Sequence, residues 1–329
     1  MHVIGVIAEY NPFHKGHLYQ INKIKEKYPN SLLVVITSSS FTQRGNISLL
    51  NKWDKISDLE LLADIQINNI EYQDKVKEYL SQGLNYATST NKALEDLTSI
   101  KVDTPNDLLA LSYIKQIKKH NYSIEYLNIK RTTSYHGSEV LDNITSASNI
   151  RKLYLSDNCI DNLVPFDKKY LYKIDMNKYY DILKYKILAE DTSISKYQTV
   201  DEGIESRIIK SIYISNNYEE LIQNIKTKRY TYNKISRMLL HILVGFTKEE
   251  ANNISIDYIR ILGFTRSGQE YLNKMKKELS IPLVIGYKKN ISKVLDIELK
   301  ATKIYALVTD MSLIKREYQI KPIIKENND

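Results

Sequence analysis

This 329-residue chain has one cysteine, Cys159, so it holds no internal disulfide and no cysteine-rich zinc site. Its longest apolar runs, such as LLVVI at 32–36, fall far short of the ~18 residues that span a bilayer, so no membrane association is expected. No block of like charge is long enough to form a disordered tail, and glycine and proline are scarce, at 10 and 6. Glu9 stands where a signal peptide would continue its apolar region, and no cleavage-like site follows, so a cytoplasmic location is expected. Asn, Lys, Ile and Tyr are abundant, a bias that reads as an AT-rich genome before it reads as function. The length accommodates two domains, or one large one, each with its own core, and 43% hydrophobic with 26% charged residues is ordinary globular material. A net charge of +8 favours an anionic partner such as nucleic acid, although solubility would explain the same charge.

HVIGVIA is a short β-branched run closed by the turn-like YNPF and reads as a buried strand. KGHLYQINKIKEKY has apolar residues at 18, 21 and 24 with charges between them, an amphipathic helix, and SLLVVITSSS is a second buried strand. Strand, helix and strand in under forty residues predict a βαβ unit and a parallel sheet. From 56 to about 120 the period is helical, in SDLELLADIQI, YQDKVKEYLSQ and PNDLLALSYIKQIKKH. The last has Pro105 in its first turn and an apolar face at 108, 109, 113, 114 and 117. YSIEYLNIKR at 122–131 alternates like a strand, and SASNIRKLYL opens another helix. Beyond 157 the segments YDILKYKILAED, IESRIIKSIYI, YEELIQNIKTKR and NKISRMLLHILVGF are helical, while PLVIGYKK and ATKIYALV fit either strands or buried helix ends. The expected architecture is an α/β domain with a parallel sheet over 1–156 and a mostly α-helical domain over 157–329.

His14, Gly16 and His17 fall at the strand-to-helix turn of the first βαβ unit, where a helix N-terminus offers N–H groups to phosphate and glycine permits close approach. Taken alone, HKGH reads more simply as the polar start of a helix. A second cluster, SASNIR, sets Ser146, Ser148 and Arg151 around another helix start, which suits a polyphosphate but also fits a capping serine and a surface arginine. KTKRYTYNK interleaves Lys226, Lys228, Arg229 and Lys234 with Tyr230 and Tyr232, so phosphate contacts and base stacking could coexist there; a solvated helix end with core tyrosines is the plainer alternative.

HxGH after the first strand together with SxSxIR after a later one resembles the signature of the nucleotidyltransferase superfamily. The resemblance is closer to one branch. GVIAEYNPFHKGHLYQI, FTQRGNISLLNKW, PNDLLALSYIK, IKRTTSYH, TSASNIR, EGIESRI, IKTKRYTYNKISRMLLHIL and RILGFTRSGQEYL resemble, in order, the bacterial tRNA(Met) cytidine acetate ligase family. That resemblance implies a Rossmann-like nucleotidyltransferase domain and a helical tRNA-binding domain. It implies that ATP and acetate form acetyl-adenylate, which acetylates N4 of the wobble cytidine of elongator tRNA(Met). His14 and His17 would be catalytic. The ATP site would comprise Ile7, Ala8, Glu9, Tyr10, Asn11, Pro12, Phe13, His14, Lys15, Gly16, His17, Leu18, Tyr19 and Gln20, with Asn106, Arg131, Ser146, Ser148 and Arg151. Mg²⁺ is expected to arrive with ATP on its phosphate oxygens, with no protein metal site. Lys226, Lys228, Arg229, Tyr230, Tyr232 and Lys234 would meet the tRNA, and His136 is a further candidate for the nucleotide site.

Between NKWDK and SDLELLADI the family carries a helix, a strand ending in Glu-Leu-Pro, another helix and a strand ending in Phe-Gly-Ser-Glu. None is present here, so the first domain is expected to be shortened after about residue 53. SSSF stands at 38–41 in place of Ser-Gly-Asn-Phe, and Asn46 in place of a glutamate. Two other functions stay open: a tRNA-binding protein that has lost catalysis, and a small-molecule adenylyltransferase.

Overall fold

Strands β1 (Val3–Ile7) and β2 (Leu32–Ile36) lie parallel, Val3 opposite Leu32 and Ile7 opposite Ile36, with helix α1 (Lys15–Lys27) between them in sequence. This is the βαβ unit that two β-branched runs flanking an amphipathic segment predict. The structure, a computed structural model, describes residues 2–29, 31–36, 40–41, 43, 45, 70–84, 86–98, 105–127, 140, 143–165, 171–289, 291–319 and 322–325. The stretch around residue 53, and with it the helix expected at 57–67, lies outside the described residues.

Helix α1 lays Ile24 on Val6 and Ala8, with Tyr10, Leu33 and Leu127 packed at the margin. The apolar runs predict buried strands, but Val34, Val35 and Ile36 of β2 are exposed. Among the described residues, the cluster on this pair draws, beyond the strands themselves, on α1, Tyr10 and Leu127.

Helices α2 (Ile70–Ser81) and α3 (Tyr86–Thr98) pack together, joined by a 2.6 Å hydrogen bond from the Tyr79 hydroxyl to Asp96. Helix α4 (Pro105–Lys119) starts at Pro105, which lacks an N–H that a first turn would leave unpaired anyway. Among its described side chains Ala110, Leu111 and Ile114 are buried and Tyr113 and Ile117 are half-buried; the side chains of Leu108 and Leu109, which the expected face also includes, lie outside the described residues. The strand expected at 122–131 does not form in its described part, 122–127. Residues 122–125 are all exposed, so alternation there buries nothing, and Leu127 alone reaches the cluster on β1. Helix α5 (Ala147–Leu155) forms where SASNIRKLYL predicts it, and Ile150 packs with Ile160, Leu163 and Val164.

The largest core belongs to helices α6 (Tyr180–Glu190), α7 (Ile204–Ile214), α8 (Tyr218–Ile225) and α9 (Tyr232–Val244). Helix α9 buries Ile235, Met238, Leu239, Leu240, Ile242, Leu243 and Val244, which wrap round the helix, so it runs through the middle of that core. The helix expected over YEELIQNIKTKR stops at Ile225 because Lys226, at ψ 139°, leaves the helical region. Helix α10 (Lys248–Asn252) follows, then β3 (Ile259–Arg260), β4 (Gly263–Thr265), α11 (Arg266–Met275), β5 (Leu283–Val284), α12 (Lys293–Ala306), α13 (Ser312–Gln319) and β6 (Ile323–Lys325). β3 pairs parallel with β5, and β4 with β6. PLVIGYKK therefore supplies a strand, whereas ATKIYALV is mainly the end of α12.

The turn after β2 reaches into this helical core. Phe41 packs against it, with its ring 6.1 Å from those of Tyr179 and Tyr305. Four residues on, the Gly45 carbonyl accepts a 2.9 Å hydrogen bond from the buried Ser236 hydroxyl of α9. At the other end of α9, His241 Nδ1 donates to the Gln198 carbonyl at 2.8 Å, and burial, with Arg237 nearby, holds the imidazole below its usual pKa. The unfolded chain therefore binds a proton near pH 6.5 that the folded chain refuses until lower pH, so stability falls as pH drops through that window. Thermal melts from pH 5 to 8 should show this fall, and His241→Gln should flatten part of it.

Candidate nucleotide site and basic surface

Tyr10, at φ 45°, turns the chain out of β1 toward α1, and His14 caps the helix. The cap is reciprocal. His14 Nδ1 accepts from the Gly16 N–H at 3.0 Å, and His17 Nδ1 accepts from the His14 N–H at 3.0 Å. A backbone N–H can only donate, so each Nδ1 is the bare nitrogen and each neutral ring carries its proton on Nε2. The two rings sit 3.9 Å apart, with Tyr10 edge-on to His17 at 4.8 Å and Phe13 stacked on it at 5.4 Å. Both histidines are buried, at 7% and 2% exposure, so these rings hold one orientation. Gly16 is needed here for a local reason: a Cβ there would lie 2.7 Å from His14 Cε1, so glycine makes room for the histidine ring.

The expectation that the first N–H groups of α1 stand open to phosphate is not met. The Lys15 N–H donates to the Leu163 carbonyl at 3.1 Å, Gly16 to the His14 ring, and His17 to the His14 carbonyl at 2.8 Å.

The second motif lies against the first. Arg151 Nη1 donates to the Asn11 carbonyl at 3.1 Å, and a Gly16 Cβ would sit 3.4 Å from the side chain of Ile144. Ser146 is the N-cap of α5, accepting from the Asn149 N–H at 3.2 Å, while Ser148 is exposed in the first turn. Glu9 accepts from the Gln43 N–H at 3.1 Å. Burial, and secondarily Glu9, raises the pKa of Tyr113 on α4. Within the stretch 7–20, Ala8, Pro12 and Gln20 are also buried, Ile7 and Leu18 are exposed, and Lys15 and Tyr19 are half-buried. The Asn106 side chain, Arg131 and His136 lie outside the described residues. Sequence reasoning missed Gln43 and Leu163, whose backbone groups act here; only the FTQRG block hinted at the first.

The basic segment is a tight turn rather than a helix end. The Thr227 N–H donates to the Tyr230 carbonyl at 3.2 Å, and the Tyr230 N–H returns to Thr227 Oγ1 at 3.0 Å. Lys226, Lys228 and Arg229 are exposed on it, and Lys234 lies 4.1 Å over the Tyr230 ring. The stacking role expected of the tyrosines does not fit this geometry. Tyr230 is buried at 6% exposure, its hydroxyl donates to Asp201 and Glu202, and burial with Glu202 pushes its pKa up to about 12. Tyr232 is half-buried, with its hydroxyl bonded to Glu219 at 2.9 Å. Both aromatic rings are used in packing, which leaves the cations as the exposed chemistry.

A βαβ unit whose first strand–helix turn locks two histidines together has the fold and site of a HIGH nucleotidyl transferase, and the chain belongs to that family. The family model matches residues 1–57 and 54–320. More narrowly, the chain is a member of the tRNA(Met) cytidine acetate ligase family. The enzyme of that name from Anoxybacillus flavithermus is 30% identical over 400 residues, covering 98% of this chain and 100% of the relative. That from Clostridium tetani is 28% identical over 406 residues, covering 99% and 100%. With 98% of 329 residues aligned, about 322 of the 400 positions are filled, so roughly 78 have no counterpart in this chain. The fold is that of Thermotoga maritima TmcAL in its apo form I, with a TM-score of 0.87 at 22% identity over 99% of this chain and 100% of that one. The same protein bound with alpha-thio ATP gives 0.85 at 23% identity over the same shares.

Proposed function

We propose that this protein uses ATP to activate acetate as acetyl-adenylate and then acetylates N4 of the wobble cytidine of elongator tRNA(Met). The observation that carries this reading is the reciprocal His14–His17 cap, which commits both Nε2–H groups as donors on one turn. An acetate oxygen attacks the α-phosphorus of ATP and pyrophosphate leaves; the cytidine amine then attacks the acetyl carbonyl, loses a proton, and AMP departs. His14 and His17 Nε2–H stabilise the charge that develops on phosphate, and Arg151, already holding the Asn11 carbonyl, keeps their loop in place. Lys15 and Ser148 supply further donors at the same turns. Mg²⁺ would ride on the ATP phosphates, where it neutralises their charge. Lys226, Lys228, Arg229 and Lys234 meet tRNA phosphates. We divide these roles between residues 1–156 and 157–329 and place the enzyme in the cytoplasm; among the described residues no helix is long and apolar enough to cross a membrane.

Incubation with labelled acetate, ATP, Mg²⁺ and total bacterial tRNA, followed by nucleoside analysis, should yield labelled N4-acetylcytidine. Its absence would reject the ligase reading. The bonded N–H groups at the start of α1 favour one rival, a tRNA-binding protein without catalysis. That protein would bind tRNA in a salt-sensitive way and release no pyrophosphate.

A further inference from the structure

The EGIESR stretch, 202–207, grips the basic turn at both its ends. Arg207 Nε donates to the Ile225 carbonyl at 2.8 Å, and its Nη2 donates to the carbonyls of Asn224 at 3.0 Å and Lys226 at 3.4 Å. These are carbonyls that the end of α8 leaves without an intrahelical partner. From the other side, Glu202 accepts from Arg229 Nη2 at 2.6 Å and from the Tyr230 hydroxyl at 3.1 Å. The Tyr230 hydroxyl also donates to the Asp201 carbonyl at 3.0 Å. Glu202 stands at φ 63° and Gly203 at φ 77°, immediately before α7 begins at Ile204. One short stretch thus holds the first residue of the turn from α7 and the last from the lead-in to α7. Three exposed cations are fixed between the two grips.

We propose that residues 202–207 form a clamp that sets the geometry of the 226–230 turn for RNA, with Arg207 and Glu202 as positioning residues rather than RNA contacts. This rests on the reading of that turn as the tRNA surface. A planar guanidinium reaches three carbonyls because its donors are spread over a rigid fork; an ammonium, a single point of charge, does not. Arg207→Lys therefore separates position from charge.

With full-length protein, amide hydrogen exchange at 226–230 should accelerate in both Arg207→Lys and Arg207→Ala, while pyrophosphate exchange with ATP stays at the wild-type level. KM for tRNA should rise roughly tenfold in Arg207→Lys despite the retained charge, the scale of one lost charge-assisted hydrogen bond. Unchanged amide exchange in both variants would overturn the clamp. So would Arg207→Lys matching wild type in KM for tRNA while Arg207→Ala does not, since Arg207 would then be a phosphate contact. Accelerated exchange in a protein whose wild type neither binds nor acetylates tRNA would leave the clamp standing and reject the RNA reading instead.

Discussion

His17→Ala should lower acetyl-adenylate formation by at least ~10²–10³-fold, the effect of deleting one well-placed donor to a developing oxyanion. Its Nδ1 accepts from the His14 N–H, so on the proposed reading its Nε2–H is the donor to phosphate, and alanine removes it. The deletion also frees the His14 N–H and empties the space between Tyr10 and Phe13, so some stability should be lost as well. Pyrophosphate exchange measured well below the melting temperature separates the two effects. His17→Phe, which fills the space without donating, should be as inactive as His17→Ala yet melt higher. A His17→Phe enzyme that kept wild-type exchange would remove His17 from the chemistry.

Gly45→Ala should be strongly destabilising, although Gly45 lies outside the site. Gly45 sits at φ 78°, and a Cβ there would lie 2.3 Å from Arg237 N and 2.4 Å from Ser236 C, backbone atoms of α9 that cannot rotate away. The left-handed conformation alone costs alanine ~1–2 kcal/mol, and pushing the turn off α9 adds the loss of the Ser236 hydrogen bond and of Phe41 packing, for a total of roughly 3–4 kcal/mol. Gly83 is the control. It has φ 80° with nothing within 4 Å of its Cβ position, so Gly83→Ala should show only the conformational part. Urea denaturation of both variants measures the difference; equal losses would mean that the 41–45 turn does not bear on α9. Because Gln43 in the same turn binds Glu9, a displaced turn should also raise KM for ATP.

How far the sequence could be read followed from how local each interaction is. The βαβ unit was legible because β-branched runs and a 3.6-residue period are local signals, and the core helices of the second half were legible for the same reason. IESRIIKSIYI marks α7 from end to end. The HKGH and SASNIR motifs were legible as a pair, and the structure brings them together through Arg151 and Asn11, 140 residues apart. What failed depended on partners distant in sequence. The strand expected at 122–131 has the right alternation, but residues 122–125 bury nothing. Tyr230 has the composition of a stacking residue, yet Asp201 and Glu202 hold it inside.

By itself, then, the sequence determined the βαβ start, the helical second half, the histidine pair and the family, since periodicity, turn residues and motif order are written along one dimension. Only the tertiary structure decided which groups stay available for chemistry. The Leu163 carbonyl occupies the Lys15 N–H, each histidine binds a neighbouring backbone N–H through Nδ1, and Glu202 and Arg207 fix the basic turn. A hydrogen-bonding group is spent or spare according to what folds against it, and the contacts that settle this for the Lys15 N–H and the basic turn come from residues far away along the chain.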